Sequence, residues 1–211
     1  MADAFLIPAR TILNGRRARR RIAAVITHFL LNFFSPTAMS SEALLIIDDR
    51  RSDGLRASLG TDWRVMTDAV MGGVSNGRVD PDVVAGRPCL RLTGEVSLEN
   101  SGGFVQASLD LDPSGPLDAG GYRGIELDVY GNDESYNLHL RTADTRIVWQ
   151  SYRAGFHAGP QWQTVRLAFA NFQPYRIDQP LDLKTLRRLG LVAIGREMRA
   201  DLCVARIGLY R

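Results

Sequence analysis

The sequence predicts an all-β fold, a two-sheet sandwich of jelly-roll type. Three observations carry that expectation. Short apolar runs recur from Ala43 onward, turn residues bound nearly every run, and sustained helical periodicity is almost absent. Twenty glycines and nine prolines among these runs favour turns and strands over long helices.

The strands are expected in order as follows. Ala43–Asp48 is a first apolar run, and after a loop come Arg78–Val84, Pro88–Val96 and Phe104–Leu111. Tyr122–Tyr130 alternates, with Ile125, Leu127 and Val129 on one face and Glu126, Asp128 and Tyr130 on the other. Ser135–Thr142 sets Tyr136, Leu138 and Leu140 against Asn137, His139 and Arg141. Such period-2 alternation marks a half-buried antiparallel strand. Ile147–Ala154 and Trp162–Phe169 follow, then a proline-rich loop and a short helical turn at Leu181–Leu186 that Asp182 could cap. Arg188–Ile194 and Asp201–Tyr210 close a set of about nine or ten strands, with no internal repeat and no second domain.

Length and composition fit one domain with a sizeable core. The 211 residues are 45% hydrophobic and 23% charged, as in ordinary globular proteins. Residues 1–40 hold six of the 26 basic residues and one of the 23 acids, which leaves 20 basic against 22 acidic residues in 41–211. The globular part is slightly acidic, and the basic surplus of a nucleic-acid face is missing.

Residues 1–40 are expected to stand outside the fold, with the jelly-roll domain at 41–211. Arg16–Arg21 precede an apolar run, Ile22–Phe34, and small residues follow. That order suits a secretory signal, an upstream extension ahead of a true start at Met39, or a basic membrane-surface arm. The run is too short for an integral span. The expected location is the cytoplasm with membrane association, or the exterior if residues 1–38 are a signal. Cys89 and Cys203 lie in strand-like runs, and buried free thiols are the expectation for both.

Several motifs fail in context. Gly73–Gly77 matches G-x-S-x-G around Ser75, but the nucleophile elbow needs a buried strand before the serine and a helix after it. The glycines also lack the Lys-Ser/Thr pair or helix of a phosphate loop. Asp110, Asp112, Ser114 and Gly115 mimic the start of a calcium loop, yet Gly121 stands where its glutamate belongs. Glu126 and Asp128 share one strand face, roughly 7 Å apart by strand geometry, and read as solvated surface. If their strand neighbours that of Asn137, His139 and Arg141, the two form a polar, mixed-charge patch. His139 alone reads as a half-exposed strand residue. Trp63, Trp149 and Trp162 suit either the core or a rim that stacks on sugars or anchors a protein partner, and at least two are expected in the core. No catalytic residue, metal site or cofactor is expected.

Four segments resemble, in order, the family of the mitochondrial complex I intermediate-associated protein 30: WRVMTDAVMGGVSNG (63–77), GEVSLENSGGF (94–104), GIELDVYGNDESYNLHLRT (124–142) and WQTVRLAFANFQP (162–174). The resemblance spans about Trp63 to Tyr210. It implies a galactose-binding-like jelly roll and a non-catalytic role, as an assembly factor or chaperone for NADH:ubiquinone oxidoreductase. The residues that recur are Trp63, Asp68, Met71, Gly72, Gly73, Ser75, Ser97, Asn100, Gly102, Gly103, Phe104 and Arg141. The working surface is expected in the loops Asp68–Asn76 and Glu99–Phe104 with Arg141, with Asp68 and Asn100 hydrogen-bonding loop backbone. The expected partner is a protein, such as complex I subunits or assembly intermediates. A carbohydrate-binding module is the alternative, and a hydrolase using Ser75 or Glu126/Asp128 is the weakest.

Overall fold

The computed structural model describes residues 44–211, apart from the Ser101 side chain. The expectations for residues 1–40 and for Ala43 lie outside the described residues.

Twelve strands are present among them: β1 (Leu45–Asp48), β2 (Arg64–Thr67), β3 (Asn76–Val84), β4 (Arg87–Val96), β5 (Phe104–Asp110), β6 (Gly124–Gly131), β7 (Glu134–Thr142), β8 (Ser151–Ala158), β9 (Gln163–Ala168), β10 (Gln173–Tyr175), β11 (Leu186–Ile194) and β12 (Met198–Tyr210). They form a jelly-roll β-sandwich of two six-stranded antiparallel sheets. The first sheet runs β3-β4-β12-β6-β9, with β1 also paired to β12. The second runs β10-β8-β7-β11-β5-β2. Pro81 and Pro174 fall in the edge strands β3 and β10, where a missing N–H costs no ladder bond.

The alternation read from the sequence decides which side chains meet between the sheets. Ile125, Leu127 and Val129 of β6 and Tyr136, Leu138 and Leu140 of β7 all point into one core. Trp63 is buried there, and its indole N–H donates to Asp48 Oδ2 at 2.7 Å, tying β1 to the chain before β2. The Tyr136 hydroxyl donates to Asn132 (2.6 Å) and accepts from the Asp201 N–H (2.9 Å), so this buried phenol is satisfied. Asp182 caps the turn Leu183–Thr185 by accepting from the Lys184 N–H.

Four expectations are corrected. Cys89 and Cys203 are not free thiols but a disulfide between β4 and β12, with Cα atoms 5.5 Å apart. The residues are separated by 114 positions, and only the pairing of the two strands brings them together. The proposed patch of Glu126/Asp128/Tyr130 with Asn137/His139/Arg141 does not exist, because β6 and β7 lie in opposite sheets. Glu126 and Asp128 are not solvated: both are buried under Arg206, with Arg166 on Glu126 and Arg87 on Asp128. Of the tryptophans only Trp63 is fully in the core. Trp162 is half-buried, donating to the Val84 carbonyl at 3.0 Å, and Trp149 is 47% exposed.

Candidate functional site

The two signature loops do lie together. Asp68 begins a short 3-10 turn, Asp68–Met71, and its fully buried carboxylate receives four hydrogen bonds. The donors are the Ser75 N–H (3.0 Å), the Ser75 hydroxyl, the Gly103 N–H (2.5 Å) and the Phe104 N–H (3.2 Å). Burial pushes the Asp68 carboxyl up, but these hydrogen bonds outweigh it and hold the group below its ordinary value. The Ser75 hydroxyl also accepts from the Ser97 N–H at 2.9 Å, which closes the junction.

The glycines follow from this packing. A Cβ at Gly73 would sit 2.3 Å from the Asp68 carboxyl carbon, and one at Gly102 would sit 2.6 Å from its Oδ2. Gly72 ends the turn at φ +89°. Asn100 contributes a left-handed backbone, φ +54°, and no hydrogen bond from its side chain, the expected contribution, is found among the described residues. Ser75 is 5% exposed and committed on both sides, so it is placed as a strut and not as a nucleophile.

Beyond this junction the outer face of the second sheet is hollow. A groove of about 610 Å³ crosses it, within the size range of ligand sites. Strand register builds its floor: Arg153 of β8 lies opposite His139 of β7, which lies opposite Gly190 of β11. At Gly190 an added Cβ would stand 2.6 Å from Gln106 Nε2, so the glycine lets the Gln106 side chain lie across the floor there. Val70 and Met71 line it on one side, at 70% and 53% exposure. Val148, Trp149 and Tyr175 also line it and are likewise exposed.

Arg141 holds the Val148–Trp149 rim in place. Its guanidinium donates to the carbonyls of Thr145 (3.2 Å) and Ile147 (3.0 Å). Arg153 donates to Ser151 Oγ (2.9 Å) and lies over the Tyr175 ring at 3.5 Å from its centroid. His139 is only 8% exposed, which corrects the half-exposed reading, and its buried Nε2 has no hydrogen-bond partner among the described residues. Burial, and after it the Arg153 charge, lowers its pKa to about 3, so the imidazole is neutral at pH 7.

Of the residues singled out in the sequence, Met71, Gly102, Gly103, Phe104 and Arg141 reach the groove. Trp63 belongs to the core, and Asp68, Gly73, Ser75 and Ser97 build the junction behind the groove. Sequence reasoning missed His139 as floor and Arg153 and Tyr175 altogether, and it named Trp149 only as one of three tryptophans for core or rim. A bulky aromatic beside polar loop residues at Trp149 was the available signal.

An open groove thus crosses one face of a jelly-roll β-sandwich domain. The model of the family described as Complex I intermediate-associated protein 30 matches residues 56–204. The chain belongs to that family.

No curated protein matches it. Among solved structures, the family 11 carbohydrate-binding module of the cellulosomal cellulase Lic26A-Cel5E of Clostridium thermocellum is similar, with TM-score 0.63 and 13% identity over 81% of this chain and 96% of that one. A family 11 module from Clostridium thermocellum in complex with a β-1,3-1,4-mixed-linked tetrasaccharide gives 0.60 and 14%, over 81% and 97%. The family 30 module of cellulase CEL9D-CEL44B from the same organism gives 0.56 and 16%, over 79% and 97%. At these identities the likeness shows the fold alone. No helix among the described residues is long and apolar enough to cross a membrane.

Proposed function

We propose that this domain is non-catalytic and holds a protein partner during assembly of respiratory complex I, NADH:ubiquinone oxidoreductase. The observation that carries this reading is the groove, with exposed Val70, Met71, Val148 and Trp149 around it, in a member of this family. Large apolar side chains clustered at a concave surface favour partner binding over solvation. The polar residues of the signature support the same reading, because Asp68 and Ser75 satisfy each other and leave no free nucleophile between them. Loss of the gene in its own cells should lower the amount of assembled complex I on native gels. The wild-type chain should restore it, and a Val148→Asp, Trp149→Ala double variant should not. Unchanged complex I after gene loss would sink the proposal.

A second reading, an exported carbohydrate-binding module, has its own support. The Cys89–Cys203 disulfide suits an oxidising compartment, and Trp149 and Tyr175 offer ring faces for stacking on sugars. Saturable glycan binding with no effect of gene loss on complex I would favour it.

A further inference from the structure

The two outer faces of the sandwich treat charge in opposite ways. On the first sheet, arginines are paired with acids: Arg206 with Glu126 and Asp128, Arg87 with Asp128, and Arg91 with Asp82 and Asp201. In the groove of the second sheet, Arg141, Arg153 and Arg176 pair with no carboxylate among the described residues. Arg188 there is neutralised by Asp110 at 2.7 Å. Among the described residues no acid lines the groove.

Partly buried cations without a counter-charge cost desolvation energy that an incoming anion would offset. Burial pushes the Arg153 guanidinium below its ordinary value; Tyr175 partly offsets this and the neighbouring Arg176 charge adds to it. Arg153 and Arg176 converge on the Tyr175 ring, at 3.5 and 5.6 Å. Beneath them the His139 ring forms part of the floor, with its Nε2 buried and without a hydrogen-bond partner among the described residues. Positive charge without a carboxylate partner among the described residues therefore sits at one end of an apolar trough.

The geometry points to an extended protein segment carrying acidic side chains between large apolar ones as the occupant of this groove. Its carboxylates lie against Arg153 and Arg176, and its apolar side chains lie against Met71, Val148 and Trp149. Charge complementarity sets which partner is accepted and how fast it arrives, while the apolar contacts hold it. This inference rests on the protein-partner reading and names the chemistry of that partner.

The test is fluorescence anisotropy of the full chain with a labelled peptide of alternating leucine–glutamate pairs, beside leucine–glutamine and leucine–lysine counterparts. The acidic peptide should bind saturably, and roughly tenfold more weakly when salt rises from about 0.05 to about 0.5 M. Arg153→Ala, the exposed-site variant Arg176→Glu and Trp149→Ala should each weaken it by roughly tenfold, with unchanged circular dichroism. The inference is overturned if the three peptides bind alike, if the acidic peptide does not bind, or if the variants bind it as wild type does. Saturable binding of a β-1,3-1,4-linked tetrasaccharide that displaces the peptide also overturns it. If the peptide fails but gene loss still depletes complex I, only this inference falls and the assembly role stands.

Discussion

The carboxylate of Asp68 reaches across 35 positions of sequence to accept the Gly103 N–H at 2.5 Å. This contact joins the two signature loops and sets the backbone of Gly102–Phe104 along one side of the groove. Asp68→Ala would leave the Ser75, Gly103 and Phe104 N–H groups buried without an acceptor. The expected loss is about 2–4 kcal/mol of unfolding free energy in urea. A loss below about 0.5 kcal/mol would show that the junction does not hold the loops.

Two glycines owe their identity to that carboxylate. Gly73→Ala and Gly102→Ala each drive a methyl group into the Asp68 side chain. Each should cost about 1–3 kcal/mol. Combined with Asp68→Ala, either glycine change should cost much less, and a thermodynamic cycle measures the difference. Additive losses would separate the glycines from Asp68.

The disulfide closes a loop of 114 residues between β4 and β12. Its removal by Cys89→Ser with Cys203→Ser should cost about 2–4 kcal/mol, mainly by freeing the unfolded chain. Mass spectrometry under non-reducing conditions should find the chain lighter by two hydrogens than after reduction. Free thiols in the purified native chain would contradict the bond.

His139 gives the fold a pH dependence with a definite sign. Unfolded, its imidazole takes a proton near pH 6.5. In the fold burial, and secondarily Arg153, holds it at about 3. Between these values the unfolded state binds more protons, so stability is present above about pH 6.5 and is lost as pH falls below it. At about pH 5 the loss from this one group is about 2 kcal/mol. His139→Gln should flatten the urea midpoint between about pH 7 and pH 5 by that amount, whereas an equal fall in both proteins would show that His139 is not the cause.

Much of the fold was legible because alternation is a local property. Leu138 and Leu140 point inward as read, and so do Ile125 and Leu127. Partner strands are not local. β6 and β7 are consecutive yet fall in opposite sheets, and Cys89 meets Cys203 only through the β4–β12 ladder. The run beginning at Ile147 was read as the start of a strand because Ile147, Val148 and Trp149 are apolar. They form a turn instead, with Arg141 donating to the carbonyls of Ile147 and Val148, and β8 begins at Ser151. β2 and β10 were missed, being edge strands of four and three residues with too few positions to show a period. The signature loops were visible as a pair. The groove was not, since it takes the register of β8, β7 and β11 to set Arg153, His139 and Gly190 in one row.

The central claim is that the groove on the outer face of the second sheet, and not the β3 edge of the first, meets the partner. Val148 and Val83 are matched probes, exposed at 70% and 64% in the groove rim and on β3 of the first sheet. A photo-crosslinking phenylalanine analogue placed at each position, in cells that assemble complex I, reads the contact directly. The account predicts adducts with complex I subunits or assembly intermediates from position 148 and none above background from position 83. Equal adducts from the two positions, or none from 148, would contradict it.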